Sequence, residues 1–371
     1  MMYNKKASSC LDFPHSPSAA DAGLLLLRLR EQPANAPNAS SLFFDSASNL
    51  SFEDTDNLLN ETLHIATRTY FQSRERDTST RPEYMDKQPN ITQKDRTRVV
   101  NNLIDIELEY LIINDDDDDD DDDEYDKYDT ENIVSDDENM DVAHTCQTIH
   151  FAINFMDRYL AKVLIQSVAE LIIIGSTCLL LASKSMDCQN TSLTIDIMVK
   201  ESKRIYNGQF SFSKEDIIKM ETQILKELNY SLYVPTSYSF IDVYWNLKLV
   251  DDDTLTLTSR ILLLCLLSYD MLKYLPSETA TAALWLARKI IGNLPTWTNT
   301  MIDKTTYSED EILPIALDIS MMYSRALLSV DDVYVKFRRT RYTLFSDPKL
   351  PSVMQNEDNN NDDVDVEMSE N

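Results

Sequence analysis

Apolar residues along this chain recur mostly at intervals of three and four, and no run longer than a few residues alternates as a half-buried strand would. One stretch departs from that amphipathic rhythm. From Leu171 to Lys184 (LIIIGSTCLLLASK), eleven of the first twelve residues are apolar or small, only Thr177 is clearly polar, and no charge occurs before Lys184. A helix apolar on all sides belongs at the centre of a bundle. An apolar run of about 12 is also short of the roughly 20 residues that cross a bilayer. The stretch is therefore expected to be a central core helix ending on a surface cation.

Amphipathic segments flank it on both sides. Residues 57–77 carry Leu58, Leu59, Leu63, Ile65, Ala66, Tyr70 and Phe71 near helical spacing, and Pro82 and Pro89 then predict an extended linker. Thr92 is placed to cap a helix over 93–113, with Val99, Val100, Leu103, Ile106 and Tyr110 on one face. Ile149, Ile153, Met156, Tyr159 and Leu160 form the next stripe, which starts near His144. After the central helix, the pattern predicts a short helix at 194–207 and another at 212–230. Ser213 and Asp216 have the S-x-x-D spacing of a capping box at the start of the latter. Beyond Pro235 a second set follows at 236–248, 253–273, 277–292, 308–327 and 329–337. The expected fold class is all-α.

Composition supports this. Only 4 of 371 residues are glycine, which argues against a Rossmann sheet, a phosphate-binding loop or an all-β fold. The net charge of −29 is concentrated in two places. Asp115 to Asp141 holds 17 acids, nine of them consecutive aspartates, against one base, and Gln355 to Asn371 holds 7 acids and no base. The remainder is only mildly acidic, so nothing favours direct nucleic-acid binding. Five cysteines with no CxxC pair and four histidines with no HExxH suggest reduced thiols in the cytosol or nucleus and no metal site. No paired carboxylates or nucleophile sets stand out, so no catalytic residue and no cofactor is assigned.

The two halves share a pattern. FMDRYL followed by LLLASK in the first parallels YDMLKYLPSETATAALWLARK in the second, with Asp157, Tyr159 and Leu160 matching Asp270, Tyr274 and Leu275. One bundle unit used twice would produce this.

Six segments in order resemble the A/B-type cyclins, in particular the B-type cyclins of budding yeasts: RPEYMDKQPNIT, INFMDRYL, GSTCLLLASK, FSKEDIIKMETQILKELNYSLYVPTSYSF, YDMLKYLPSETATAALWLARK and MIDKTTYSEDEIL. The resemblance implies two tandem five-helix cyclin boxes behind an N-terminal helix. The divisions are 1–55 (disordered), 56–92 (helix and linker), 93–233 (first box, with an acidic insertion at 114–141), 234–346 (second box) and 347–371 (disordered acidic tail). It also implies a regulatory subunit, not an enzyme, that binds and activates a cyclin-dependent Ser/Thr kinase as a heterodimer and meets that kinase's substrates and inhibitors. Nucleus and cytoplasm are its expected locations, with no membrane and no direct nucleic acid among its partners. From the residues alone Lys184 and Glu221 read as a surface salt bridge, whereas by resemblance Lys184, Glu221, Leu225, Tyr230 and Leu232 contact the kinase. Arg96 and Asp157 match a buried ion pair joining the first two helices of the first box.

The substrate-docking patch of that family is apolar and includes a tryptophan. The matching positions here, Asp95, Arg98, Val99, Asn102, Asp105 and Ile172, form a degraded version in which Asn102 stands for the tryptophan. Ser185 likewise stands where an aromatic often follows the lysine. A diverged cyclin-fold scaffold that binds a kinase without activating it is the alternative these departures suggest. A transcription factor with two cyclin-type boxes is a third reading, without a zinc ribbon or basic face to support it.

Overall fold

The structure, a computed structural model, describes residues 52–80, 82–115, 138–186, 193–206, 208, 210 and 212–328. Residues 1–51 of the region expected to be disordered at 1–55, the tail at 347–371, most of the acidic insertion and the helix expected at 329–337 lie outside these residues, whereas residues 52–55 are not disordered but open the first helix. Within them the chain is all-helical, with no strand. The elements are α1 (Phe52–Thr78), the 3-10 helix η1 (Pro82–Lys87), α2 (Gln93–Asp115), α3 (Glu138–Leu160), α4 (Val168–Met186), α5 (Ile195–Ile205) and α6 (Lys214–Glu227). There follow α7 (Ser237–Asn246), α8 (Asp252–Leu267), the 3-10 helix η2 (Tyr269–Lys273), α9 (Pro276–Ile291), α10 (Asn299–Thr305) and α11 (Glu309–Leu328).

The all-apolar stretch occupies the centre of the first bundle. α4 packs against α2, α3, α5 and α6, and Leu171, Ile174, Thr177, Cys178, Leu179, Leu180 and Ala182 are all fully buried. Thr177 spends its hydroxyl on the Ile173 carbonyl (2.7 Å), so its burial leaves that donor satisfied. Gly175 sets how closely the helices approach. A Cβ there would sit 2.8 Å from Val99 Cγ1 and 3.2 Å from Leu103 Cδ1.

The helix is longer than its apolar run. Ser167 accepts from the Glu170 amide (3.2 Å), so helix begins within the segment expected to be a connector. One 18-residue window, Val168–Ser185, is long and apolar enough to cross a membrane, which corrects the expectation of a run too short to do so. In the fold 67% of that window is buried inside the protein.

α9 is the matching centre of the second bundle. Pro276 opens it, Gly292 closes it with φ +90°, and it packs on α7, α8 and α11. The duplication is architectural and does not extend to every side chain: Asp157 is buried, but its sequence counterpart Asp270 is exposed.

Both helix starts for which the sequence suggested a cap carry it. Thr92 and Asp95 exchange hydrogen bonds at the head of α2, and Ser213 and Asp216 do so at the head of α6. Three features differ from the sequence reading. The linker after α1 is not extended over 82–87 but coils into η1, burying Tyr84 and Met85. The helix expected over 253–273 breaks at Ser268, which is extended (φ −89°, ψ 118°). The break turns Tyr269 onto the linker, where its ring meets the edge of Tyr84 (5.2 Å, 81°) and its hydroxyl accepts from the Met85 amide (2.9 Å). Long-range packing has overridden local helix preference there. Finally α10, seven residues with only Met301 and Thr305 buried, is too short and polar to show a stripe in the sequence.

α1 belongs to the second bundle although it precedes the first. It packs along α7 and α9. Glu75 caps α9, accepting from the Ser277 amide (2.9 Å) and hydroxyl (2.7 Å), while Arg68 donates to the Asp303 and Lys304 carbonyls near the end of α10. An anion thus sits at a helix N-terminus and a cation at a C-terminus, each in its favourable place on the helix dipole.

Candidate functional site: one exposed face of the first bundle

The face begins where α4 and α6 emerge from the core. α6 turns Ile217, Met220, Ile224 and Leu228 inward and leaves Ile218, Glu221, Thr222 and Leu225 along its outer side. Lys184 Nζ lies 2.9 Å from Glu221 Oε1, with side chains 39% and 20% exposed. A screened pair of this kind contributes only about 0–1 kcal/mol. Its geometry places one cation and one anion beside the apolar side chains of α6.

The chain after α6 is bent under strain. Asn229 (φ 52°) and Tyr230 (φ 57°) are both left-handed, and the Tyr230 amide closes back on the Leu225 carbonyl (2.9 Å). That conformation is ordinary for asparagine, but for a bulky residue such as tyrosine it costs about 1–2 kcal/mol. It leaves the Tyr230 ring 67% exposed. Two cations of the first bundle hold the bend: Arg158 donates to the Ser231 carbonyl (2.9 Å) and Lys162 to the Glu227 carbonyl (2.5 Å). Leu232 is half-buried against the core. Lys184, Glu221, Leu225, Tyr230 and Leu232 thus belong to α4, α6 and the single bend that leaves α6.

Three residues not singled out in the sequence extend this face. Ile218 stands seven positions before Leu225 on α6, a spacing that could have revealed it. Tyr233 is 58% exposed, with its ring 6.2 Å from Phe71 and 6.4 Å from Phe151. Tyr70, on α1, is also exposed, and its ring lies 6.2 Å from Phe71. The Phe71–Tyr233 contact joins segments about 160 positions apart and has no local signal in the sequence.

Arg96 and Asp157 sit behind the face, at the junction of the bundles. Arg96 Nε and Nη2 donate to the two Asp157 oxygens (2.8 and 2.7 Å), with side chains only 1% and 3% exposed. Tyr84 of the linker donates to the same carboxylate (2.7 Å), and Arg96 Nη1 donates to the Leu266 carbonyl of α8 (2.9 Å). The pair therefore ties α2 and α3 to the linker and the second bundle, a wider role than joining two helices. The carboxylate beside it holds the Arg96 guanidinium above its usual range despite burial, and burial with the same negative charge pushes the Tyr84 phenol well up.

The six positions of the degraded patch do not make one open surface. Val99 and Ile172 are core residues, 2% and 1% exposed, because α2 and α4 turn them into the packing around Gly175. The Asp95 carboxylate is engaged in capping α2. Asn102 is half-buried and hydrogen-bonds the Tyr206 phenol at the end of α5, and Asp105 accepts from Asn101 (3.5 Å). Only Arg98 is freely exposed. Ser185 turns its hydroxyl to the Leu181 carbonyl (2.6 Å).

Comparison with known proteins agrees with this architecture. The model of the cyclin N-terminal domain matches residues 139–233 and that of the cyclin C-terminal domain residues 235–347, together more than half of the chain. The first match begins within α3 and leaves out α2, although α2 packs in the same bundle. Cyclin-A2 of Xenopus laevis is 26% identical over 259 residues, covering 70% of this chain and 52% of its own. G2/mitotic-specific cyclin-B of Hydra viridissima is 30% identical over 196 residues, covering 53% and 46%. Cyclin-A1 of Homo sapiens is 28% identical over 290 residues, covering 76% and 53%. The chain spans about half the length of these relatives. With a cyclin N-terminal domain followed directly by a cyclin C-terminal domain in one all-helical chain, the protein belongs to the cyclin family.

Proposed function

We propose that this chain is the regulatory subunit of a cyclin-dependent Ser/Thr protein kinase, acting in the cell cycle in S phase or at G2/M; the G2/mitotic-specific cyclin-B among its relatives supports the second of these. The observation that carries this reading is the exposed face itself. Ile218, Leu225, Tyr230 and Tyr233 offer apolar area, and the Lys184–Glu221 pair at its side offers one charge of each sign. Apolar anchors supply affinity and flanking charges supply orientation. That combination suits a kinase's regulatory helix, which must be seated and rotated so that its glutamate meets the ATP-positioning lysine. On this reading the chain supplies no catalytic group. It acts in the nucleus and cytoplasm, without membrane or direct nucleic-acid binding.

Substrate choice would differ from that of a cyclin with an apolar docking groove. Val99 and Ile172 are buried and Asn102 is tied to Tyr206, so little apolar floor is offered there.

The test is co-purification with a cyclin-dependent kinase and a histone phosphorylation assay. The wild-type chain is expected to bind and to activate. Lys184→Ala with Glu221→Ala is expected to weaken both by tenfold or more, about 1.4 kcal/mol. Unchanged binding and activation would remove this interface from the account. Binding without activation would favour the scaffold reading.

A further inference from the structure

The junction between the bundles contains a cavity of about 90 Å³, several times what one water molecule needs. Its wall is drawn from both bundles and the segment after α1, through α2, α3, the start of α7, α8, η2 and the start of α9. Most of it is apolar, including Ile153, Leu262 and Met271. One pole is not. Ser79 Oγ, Thr80 Oγ1 and His150 Nε2 all belong to residues of this wall, and all three atoms are buried without a hydrogen-bond partner among the described residues. The His150 side chain is only 3% exposed and lies against the Tyr238 ring (5.9 Å). A buried polar atom left unpaired is costly, so three around one space are informative about what that space accepts.

The charge of the occupant is set by the remaining walls. Arg96 and Asp157 border the cavity but neutralise each other through two hydrogen bonds. Burial holds the His150 imidazole neutral, its pKa pushed down to about 3. The cavity also shares Ser79, Thr80, Leu272 and Tyr274 with a wider recess of about 420 Å³, lined by Arg76, Glu83 and Glu278 among others, which provides a route from the surface.

We propose that this cavity is a binding site for a small neutral amphiphile, an apolar body of a few heavy atoms carrying one amide or hydroxyl group that hydrogen-bonds Ser79, Thr80 and His150. Such a ligand touches both bundles and the segment that follows α1, and so fastens the junction. The site is separate from the kinase-binding face and does not depend on it.

The experiment uses the full chain with methyl-labelled isoleucine, leucine and methionine, titrated with acetamide and, separately, equilibrated with xenon. Acetamide is expected to shift the Ile153, Leu262 and Met271 methyl signals saturably in the millimolar range. In Ser79→Ala/Thr80→Val, acetamide binding is expected to weaken about tenfold. Xenon is expected to perturb the same methyls in both proteins, which shows that the cavity survives the substitutions. A cavity that takes xenon but not acetamide would overturn the proposal, as would acetamide shifts scattered over the surface or unchanged in the double variant. Failure of both probes would mean that water alone occupies the space, which also overturns it.

Discussion

At the scale of single residues, the interior holds its charges in two different ways. Asp157 is buried with a partner for each oxygen, whereas among the described residues Glu107 is buried with Oε2 unpartnered and only a Thr148 hydrogen bond favouring its charge. Burial therefore pushes the Glu107 pKa up to about 8. A carboxyl whose pKa is raised by folding contributes most stability while it is protonated. That contribution is lost as pH rises from the unfolded value of about 4.5 through about 8. Chemical denaturation at pH 6 and pH 9 is expected to show the wild type weaker at the higher pH, with Glu107→Gln nearly removing the difference. An equal pH slope in both proteins would exclude Glu107 as its origin. Asp157→Asn is expected to act in the opposite sense, losing about 3–5 kcal/mol at neutral pH because the Arg96 charge stays buried and unmatched. Urea unfolding would measure this.

At the scale of elements, the length and spacing of the helices follow from a few positions. Gly175 ordinarily weakens a helix by about 1 kcal/mol relative to alanine. Here the added methyl would meet Val99 Cγ1 at 2.8 Å, on a stiff β-branched side chain. Overpacking costs about 1–3 kcal/mol, so Gly175→Ala is expected to lower the melting temperature, whereas propensity alone would raise it. The caps were readable as sequence: Thr92 with Asp95 and Ser213 with Asp216 show the same three-residue spacing on paper and in space. Ser213→Ala is expected to cost about 1 kcal/mol, seen as faster hydrogen exchange in the first turn of α6. Other features were not readable, for a common reason. The break at Ser268 exists because Tyr269 packs on Tyr84, and η1 exists because Tyr84 and Met85 have a buried seat between the bundles. Neither residue's neighbours in the chain signal a partner about 185 positions away.

At the scale of the whole molecule, the first and last thirds of the described chain are held together around the middle. α1 lies on the second bundle, the linker runs through the junction, and Gln88 donates to the Leu160 and Val163 carbonyls of the first bundle (both 2.7 Å). Arg96 completes the tie through the Leu266 carbonyl. The sequence showed two related bundles and their central helices, because a long apolar run and its weaker repeat are local patterns. It also singled out the Arg96–Asp157 pair, although not its reach into the second bundle. The exposed face was half visible. Lys184, Glu221 and Leu225 stand in motifs, but Tyr70 joins Tyr233 only through Phe71, a contact created by the return of α1. The engagement of a cyclin-dependent kinase by this face is tested most directly by calorimetric titration of the purified kinase with three forms of the chain. Leu225→Asp is expected to reduce affinity at least about a hundredfold by placing a charge among the apolar anchors, while Leu294→Asp, at an exposed position in the loop after α9, is expected to bind as the wild type does. Equal affinity for wild type and Leu225→Asp would contradict the assignment.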